Sequence, residues 1–267
     1  MGMGGVISTA FRNFELRCIN SYSYIFPEYL AYWIKEMRQS ELPVNILISG
    51  ALGCGKSTAA SIIYKCTEPD KPFDEKHVIF AEDPDAVFLR KLNSLKNDTV
   101  VIDELYRFLN SRAAMTRESI SILNYFEVAR ARNVATISCC NSYFKIDRAF
   151  RTTQVSMVIQ LFDRRKKDSE LGVSCGAVFA APTLTMADDR FGLDYLSDVH
   201  SEQEFVNLAP FVHSFKGFIF FPNRSEYVSE KEWDNYSDAK ARGIQRVFTH
   251  GISRMAKEDS NYEVEKQ

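Results

Sequence analysis

The chain has 267 residues, enough for one large domain or a domain with an extension. Hydrophobic residues make up 45% and charged residues 25%, which is ordinary globular composition. The net charge of −2 excludes a polybasic nucleic-acid glue, so any contact with DNA or RNA has to come from a local patch.

No charged segment followed by an apolar one opens the sequence, which predicts no signal peptide and a cytoplasmic, non-secreted protein. Met1-Gly2 is followed by Val6 where a myristoylation signal needs Ser or Thr. No uncharged apolar stretch nears the roughly 20 residues of a membrane span, so no transmembrane segment is expected. The six cysteines include no C-x-x-C pair and no histidine partner at zinc spacing; the adjacent Cys139 and Cys140 read as small core residues in a reducing cytosol.

In chain order, residues 1 to 26 are mixed and lack clean periodicity. Pro27 opens a helix with Tyr29, Leu30, Trp33, Ile34 and Met37 at its apolar positions, expected to pack on a sheet edge. Val44 to Ile48 reads as a buried strand. It runs into Gly50-Ala51-Leu52-Gly53-Cys54-Gly55-Lys56-Ser57-Thr58, in which Gly50 to Ser57 spell G-x-x-x-x-G-K-S, the phosphate-binding P-loop. A helical stretch, Ser57 to Cys66, leads out, and this strand–loop–helix context separates a real P-loop from a chance match. The glycines let backbone N–H groups turn inward onto phosphate oxygens, and the following helix adds its N-terminal dipole. Lys56 is placed to reach the β- and γ-phosphates of ATP, and Ser57 to ligate Mg²⁺. Cys54 fills a variable position as a small residue.

His77 to Ala81 reads as a second strand. Asp83-Pro84 then starts a helix through Leu95, with Asp83 as N-cap and Pro84 at the first helical position. Thr99-Val100-Val101-Ile102-Asp103-Glu104 follows the Walker B pattern, an apolar run that needs burial on both faces of a parallel sheet and ends in two carboxylates. These emerge at the strand's C-terminal end, where open α/β sheets bind ligands. Asp103 is expected to hold Mg²⁺ through water, and Glu104 to orient and deprotonate the attacking water. The 46-residue interval from Ser57 to Asp103 leaves room for one β–α pair between the motifs, the layout of additional-strand, catalytic-glutamate (ASCE) P-loop ATPases.

A helix from Arg117 to Arg132 is closed by Asn133, and the strand Val134 to Cys140 ends at Asn141, whose amide is within reach of a γ-phosphate or the attacking water. Val155 to Phe162 and Gly176 to Ala181 read as two strands of a hairpin. Its tip carries Arg164, Arg165, Lys166 and Lys167, either a solvated turn or a phosphate contact for DNA. Residues 183 to 214 are acidic and read as an irregular, solvated insertion. Lys216 to Phe221 is a last strand, and Ser229 to Lys257 a helix with a polar tail after it.

The order of the acid pair, Leu109-x-Ser111-Arg112, a helix ending Ala129-Arg130-Ala131-Arg132-Asn133, a strand, and Ile146-Asp147-x-x-x-Arg151 resembles the DNA-translocating and genome-packaging ATPases of the ASCE division. These include the FtsK–HerA group, phage packaging motors and related ATPases of archaeal viruses and plasmids. The resemblance covers roughly residues 44 to 160. FtsK–HerA members usually carry Gln where this chain has Asn141, which is closer to the sensor Asn of AAA+ proteins and of some phage packaging motors.

The resemblance implies a three-layer α/β P-loop NTPase: a central, mostly parallel sheet in ASCE/RecA-like strand order, a β-hairpin extension, and flanking N- and C-terminal helices. Residues 1–40 would form an N-terminal helical segment, 41–225 the ATPase core with a hairpin and insertion at 155–215, and 226–267 a C-terminal helical segment and tail. It implies a Mg-ATP-hydrolysing ring, pentameric or hexameric, that moves or packages double-stranded DNA. Arg130 or Arg132, and second Arg148 or Arg151, would be arginine fingers. A capsid or membrane docking partner would follow, with a virion-associated location if the protein is viral. The alternatives are an AAA+-type initiator or helicase loader, and a nucleotide-gated assembly or secretion ATPase.

Overall fold

The computed structural model describes residues 24–81, 83, 85–109, 117–162, 174–180, 191–196, 199 and 202–245. Eight strands form one sheet: β1 (Tyr24–Ile25), β2 (Asn45–Ser49), β3 (Val78–Phe80), β4 (Thr99–Asp103), β5 (Ala135–Cys140), β6 (Met157–Leu161), β7 (Ser174–Ala180) and β8 (Phe215–Phe221). Their spatial order is β1-β8-β7-β6-β2-β5-β4-β3. Among the described residues the helices are α1 (Pro27–Gln39), α2 (Lys56–Thr67), α3 (Asp85–Ser94), α4 (Arg117–Ala131), α5 (Arg148–Thr153), α6 (Glu202–Leu208) and α7 (230–245). Among the described residues no helix is long and apolar enough to cross a membrane.

The P-loop strand β2 lies between β5 and β6 and is parallel to both. The Walker B strand β4 is one place further out, separated from β2 by β5, and β3 closes that edge. All five strands from β6 to β3 run in one direction, so their C-terminal ends share one rim. The antiparallel pair β6–β7 extends the sheet on the far side as the expected hairpin, β8 adds antiparallel to β7, and β1 pairs with β8 in parallel. The sequence gives no local sign of β1; a two-residue strand gets its pairing from a partner nearly the whole chain away.

Alternation along the strands fills two cores. Leu47, Val100 and Ile102 face one side, with Phe88 and Leu92 of α3 and Ile122, Phe126 and Ala129 of α4. Ile46, Ile48, Val101, Ile137 and Cys139 face the other, with Leu30 and Ile34 of α1, Ile62, Ile63 and Tyr64 of α2, and Tyr236 and Ala239 of α7. Burial on both faces is why β2, β4 and β5 read as continuous apolar runs. At about 25 cal/mol per Å² of apolar surface, this double burial is the main stabilising contribution.

Several local expectations need adjustment. On α1 the buried positions are Pro27, Leu30, Ala31 and Ile34, whereas Tyr29 is 63% exposed. Helix α3 starts at Asp85, and the Asp83 carboxylate instead accepts from Phe80 N–H at 3.1 Å and Lys91 Nζ at 2.9 Å. The stretch read as a solvated insertion is partly core: Phe191, Leu193, Leu196, Val206, Ala209 and Val212 are buried on the α3–α4 side. Its acidic residues masked an apolar set with no clear period. Asn133 does close α4, in the left-handed conformation at φ 56°.

Candidate active site

The P-loop spans the C-terminal end of β2 and the first turn of α2. Gly55 is the N-cap of α2 at φ +93°, a conformation that favours glycine, and a Cβ there would collide with Ser174 Oγ at the start of β7. Ser174 in turn donates to Cys54 O at 3.3 Å, so the hairpin strand braces the loop. Gly50 N–H donates to Cys140 O at 3.3 Å, which ties the loop's first residue to β5. Leu52, at the loop's outer turn, is 70% exposed, while Cys54 is buried. Burial drives the Cys139 thiol well above its ordinary range and the Cys140 thiol up to about 12, so neither β5 cysteine is a nucleophile at neutral pH.

Lys56 is buried, and its ammonium donates to Gly50 O at 2.8 Å, Ala51 O at 2.9 Å and Asn141 Oδ1 at 3.0 Å. All three ammonium hydrogens are thus directed by the loop and by the end of β5. Ser57 Oγ donates to Asp103 Oδ1 at 3.0 Å, joining the first turn of α2 to the end of β4. Sequence reasoning pairs these two residues by role, and the fold places them in contact.

Glu104 follows directly at φ 74°, ψ 67°, left-handed and unusual for a residue with a side chain. The Asn141 backbone N–H donates to the Glu104 carboxylate. Its Oε1 is buried with no hydrogen-bond partner in the protein. Burial raises its pKa first, Asp103 adds to the rise, and Lys56, Lys240 and the Asn141 backbone N–H oppose it. A half-buried carboxylate with one unpartnered oxygen is set up to accept a proton.

Two residues of the site had no signal in the sequence. Tyr236 donates its hydroxyl to Asp103 Oδ2 at 3.1 Å, and Lys240 Nζ lies 2.6 Å from the same oxygen. Both come from α7, one helical turn apart. Burial and the adjacent Asp103 carboxylate raise the Tyr236 pKa, which keeps the phenol protonated and donating.

The arginines are arranged differently. Arg151 Nε donates to Ile146 O at 3.1 Å, and its guanidinium lies 4.8 Å over the Tyr143 ring. Arg148 is an exposed residue of α5. Arg132 Nε donates to Leu95 O at 3.0 Å. Arg132 precedes β5, whereas Glu104 follows β4, so it stands at the opposite end of the sheet, on the order of 15 Å or more from its own acid pair. Arg130 lies in α4. Arg112, Arg164, Arg165, Lys166 and Lys167 lie outside the described residues.

β6-β2-β5-β4-β3, with the P-loop after the second and the acid pair after the fourth, decides the fold. It is a P-loop NTPase fold of the additional-strand type. No protein-family model matches the chain, and no curated protein matches it in sequence. Among solved structures it is similar to the N-terminal domain of zonular occludens toxin from Neisseria meningitidis, with a TM-score of 0.41 and 17% identity over 72% of this chain and 97% of that one. It is also similar to the genome packaging NTPase B204 from Sulfolobus turreted icosahedral virus 2. The sulfate complex gives a TM-score of 0.37 and 10% identity over 52% of this chain and 91% of that one. The complex with ATP-gammaS gives 0.33 and 13% over 46% and 76%. At these scores neither likeness decides what the chain does.

The donors present suit Mg²⁺. Ser57 and Asp103 offer hard oxygen ligands beside a loop shaped for phosphate, and Glu104 adds a buried oxygen without a protein partner. Among the described residues no cluster of three or more His, Cys, Asp or Glu forms a self-sufficient metal cage. Mg²⁺ bound with a nucleotide needs none, since phosphates and water supply most of its octahedron.

Proposed function

We propose that the chain is a Mg-ATP-hydrolysing motor that acts as a ring on double-stranded DNA. The observation that carries the ATPase reading is the convergence of Lys56, Ser57, Asp103, Glu104 and Asn141 on one rim of the sheet. The DNA and ring parts are supported by the sequence resemblance of residues 44 to 160 to DNA-translocating and packaging ATPases. The zonular occludens toxin domain and the packaging NTPase are fold likenesses beside it.

In the reaction, water attacks the γ-phosphorus in line and the β–γ bridging bond breaks, giving ADP and phosphate. Glu104 takes the proton from the attacking water on its unpartnered Oε1. Lys56 exchanges its carbonyl partners for β- and γ-oxygens and neutralises charge as it shifts to the leaving group. Asn141 orients the γ-phosphoryl group through its amide. Ser57 and Asp103 would hold Mg²⁺, which would supply charge neutralisation for the phosphates. Arg151, Arg148, Arg130 and Arg132 are candidates to serve a neighbouring subunit's site, and the basic run Arg164 to Lys167 is the candidate DNA contact.

The test is the ATPase rate with and without double-stranded DNA, at low and moderate salt, beside Glu104→Gln. Strong stimulation that fades with salt supports the motor. Turnover indifferent to nucleic acid favours a nucleotide-gated assembly ATPase. One observation favours a second reading, an AAA+-type loader: a lysine of the C-terminal helix reaches the site, as a lid residue would. Stimulation by a protein partner alone would select it.

A further inference from the structure

Both oxygens of Asp103 are engaged, and by different elements. Oδ1 accepts from Ser57 on α2, while Oδ2 meets the Tyr236 hydroxyl and the Lys240 ammonium on α7. The two α7 residues differ in how firmly they are held. Tyr236 is 4% exposed, with its ring 5.3 Å from Phe73, 5.6 Å from Phe80 and 4.9 Å from Trp233. The Lys240 side chain is 38% exposed, on a four-carbon stem with open solvent beside it.

Asp103 and Ser57 are the side chains that Mg²⁺ requires at this site. A lysine ammonium 2.6 Å from Oδ2 and a divalent ion bridged to the same carboxylate draw on one negative charge and repel each other. The ammonium also lies 5.9 Å from the centroid of the Tyr236 ring. We propose that Lys240 competes with Mg²⁺ for Asp103. It is a tethered cation that neutralises the carboxylate and yields it as Mg²⁺ loads with nucleotide, while Tyr236 stays and keeps the carboxylate oriented. Lys240 is thus a positioning residue that sets how much Mg²⁺ the site demands. This rests on the reading of the P-loop as an ATP site.

The magnitude follows from exposure. An ion pair with one partner more than a third exposed is worth at most about a few-fold in an equilibrium constant. The competition therefore tunes Mg²⁺ demand and does not block the site.

The experiment is binding of a fluorescent, non-hydrolysable ATP analogue to the purified 267-residue chain, titrated with Mg²⁺. Wild type, Lys240→Ala, Lys240→Gln, Lys240→Arg and Tyr236→Phe are compared. Lys240→Ala and Lys240→Gln should lower the half-saturating Mg²⁺ by about three- to fivefold, and Lys240→Arg should restore wild-type demand. Lys240→Gln keeps most of the stem, so it carries the test if the alanine variant is unstable in a thermal melt. Tyr236→Phe should raise the half-saturating Mg²⁺, since the carboxylate loses its fixed donor. Should the analogue bind but the Mg²⁺ midpoint stay put or rise when the lysine is removed, the competition is wrong while the ATP site stands. A wild-type chain that binds no analogue at any Mg²⁺ would overturn both.

Discussion

Lys56 and Asn141, 85 residues apart in sequence, meet with Nζ 3.0 Å from Oδ1. One contact thus joins the P-loop to the end of β5, on which the backbone N–H of Asn141 also faces Glu104. A residue touching both Lys56 and Glu104 is suited to couple the roles proposed for them. Asn141→Ala should leave nucleotide affinity within about threefold of wild type and lower kcat by roughly ten- to a hundredfold. Parallel binding and steady-state assays check the split; an affinity loss as large as the rate loss would remove Asn141 from the chemistry.

Lys56 and Glu104 should fail in different ways. Lys56→Ala deletes a buried, charge-assisted donor, and nucleotide affinity should drop by about a hundredfold. Glu104→Gln keeps shape and loses the proton acceptor, so ATP should remain bound without being cleaved. Filter binding beside phosphate release distinguishes the two, and normal turnover in Glu104→Gln would sink the base assignment.

Gly55→Ala tests the loop's conformation. The left-handed φ of +93° costs a side chain about 1–2 kcal/mol, and the new Cβ must also displace Ser174. A lower melting temperature and weakened nucleotide binding should appear together. An unchanged melt would mean that the loop relaxes freely.

Glu232 links α7 to the rest of the fold. Its carboxylate accepts from Ser229 N–H at 3.0 Å and Phe73 N–H at 2.9 Å and pairs with Lys65 at 3.2 Å. With Ser229 Oγ accepting Glu232 N–H at 3.3 Å this is a capping box at the start of α7. Burial works against ionisation, but these donors win and lower the carboxyl pKa from 4.5 to about 2. The depressed value means stability present above pH 4.5 and lost as pH falls toward 2. Glu232→Gln should cost roughly 1–2 kcal/mol near neutrality, discounted for partial exposure, and progressively less as pH falls through 2. Denaturant melts across that range check it; a constant difference would place the effect in packing.

Asp98 anchors the other end of the sheet. It is 8% exposed and meets Lys71 at 2.7 Å, His77 Nε2 at 3.6 Å and Thr99 N–H at 2.8 Å. Glu68, Asp74 and Arg38 border the same network. Despite burial these donors hold its carboxyl below the usual carboxylate range. Asp98→Asn should destabilise by about 3 kcal/mol at neutral pH without changing nucleotide affinity in the folded fraction. A selective loss of affinity would place the network within the site.

Local chemistry was legible and distant chemistry was not. Gly50 to Ser57 and Asp103-Glu104 each carry their meaning in adjacent residues, and the 46-residue spacing fits the strand order that the fold adopts. Tyr236 and Lys240 obey helical spacing like many exposed pairs. Only the packing of α7 against α2 and β4 shows that they face Asp103. Phe191 and Val212 were hidden for a related reason: acidic neighbours dominate the stretch, and its short turns impose no period. Arg132 follows the last residue of α4, Ala131, and the chain enters β5 from the end of the sheet remote from Glu104.

Among the described residues the outermost strands, β1 with two residues and β3 with three, are also the shortest in the sheet. An open eight-stranded sheet would ordinarily invite another chain's backbone to continue it, and such stubs give an incoming strand almost no ladder to join. If copies assemble as the proposed ring, their contacts would have to be made by side chains on the helices and loops.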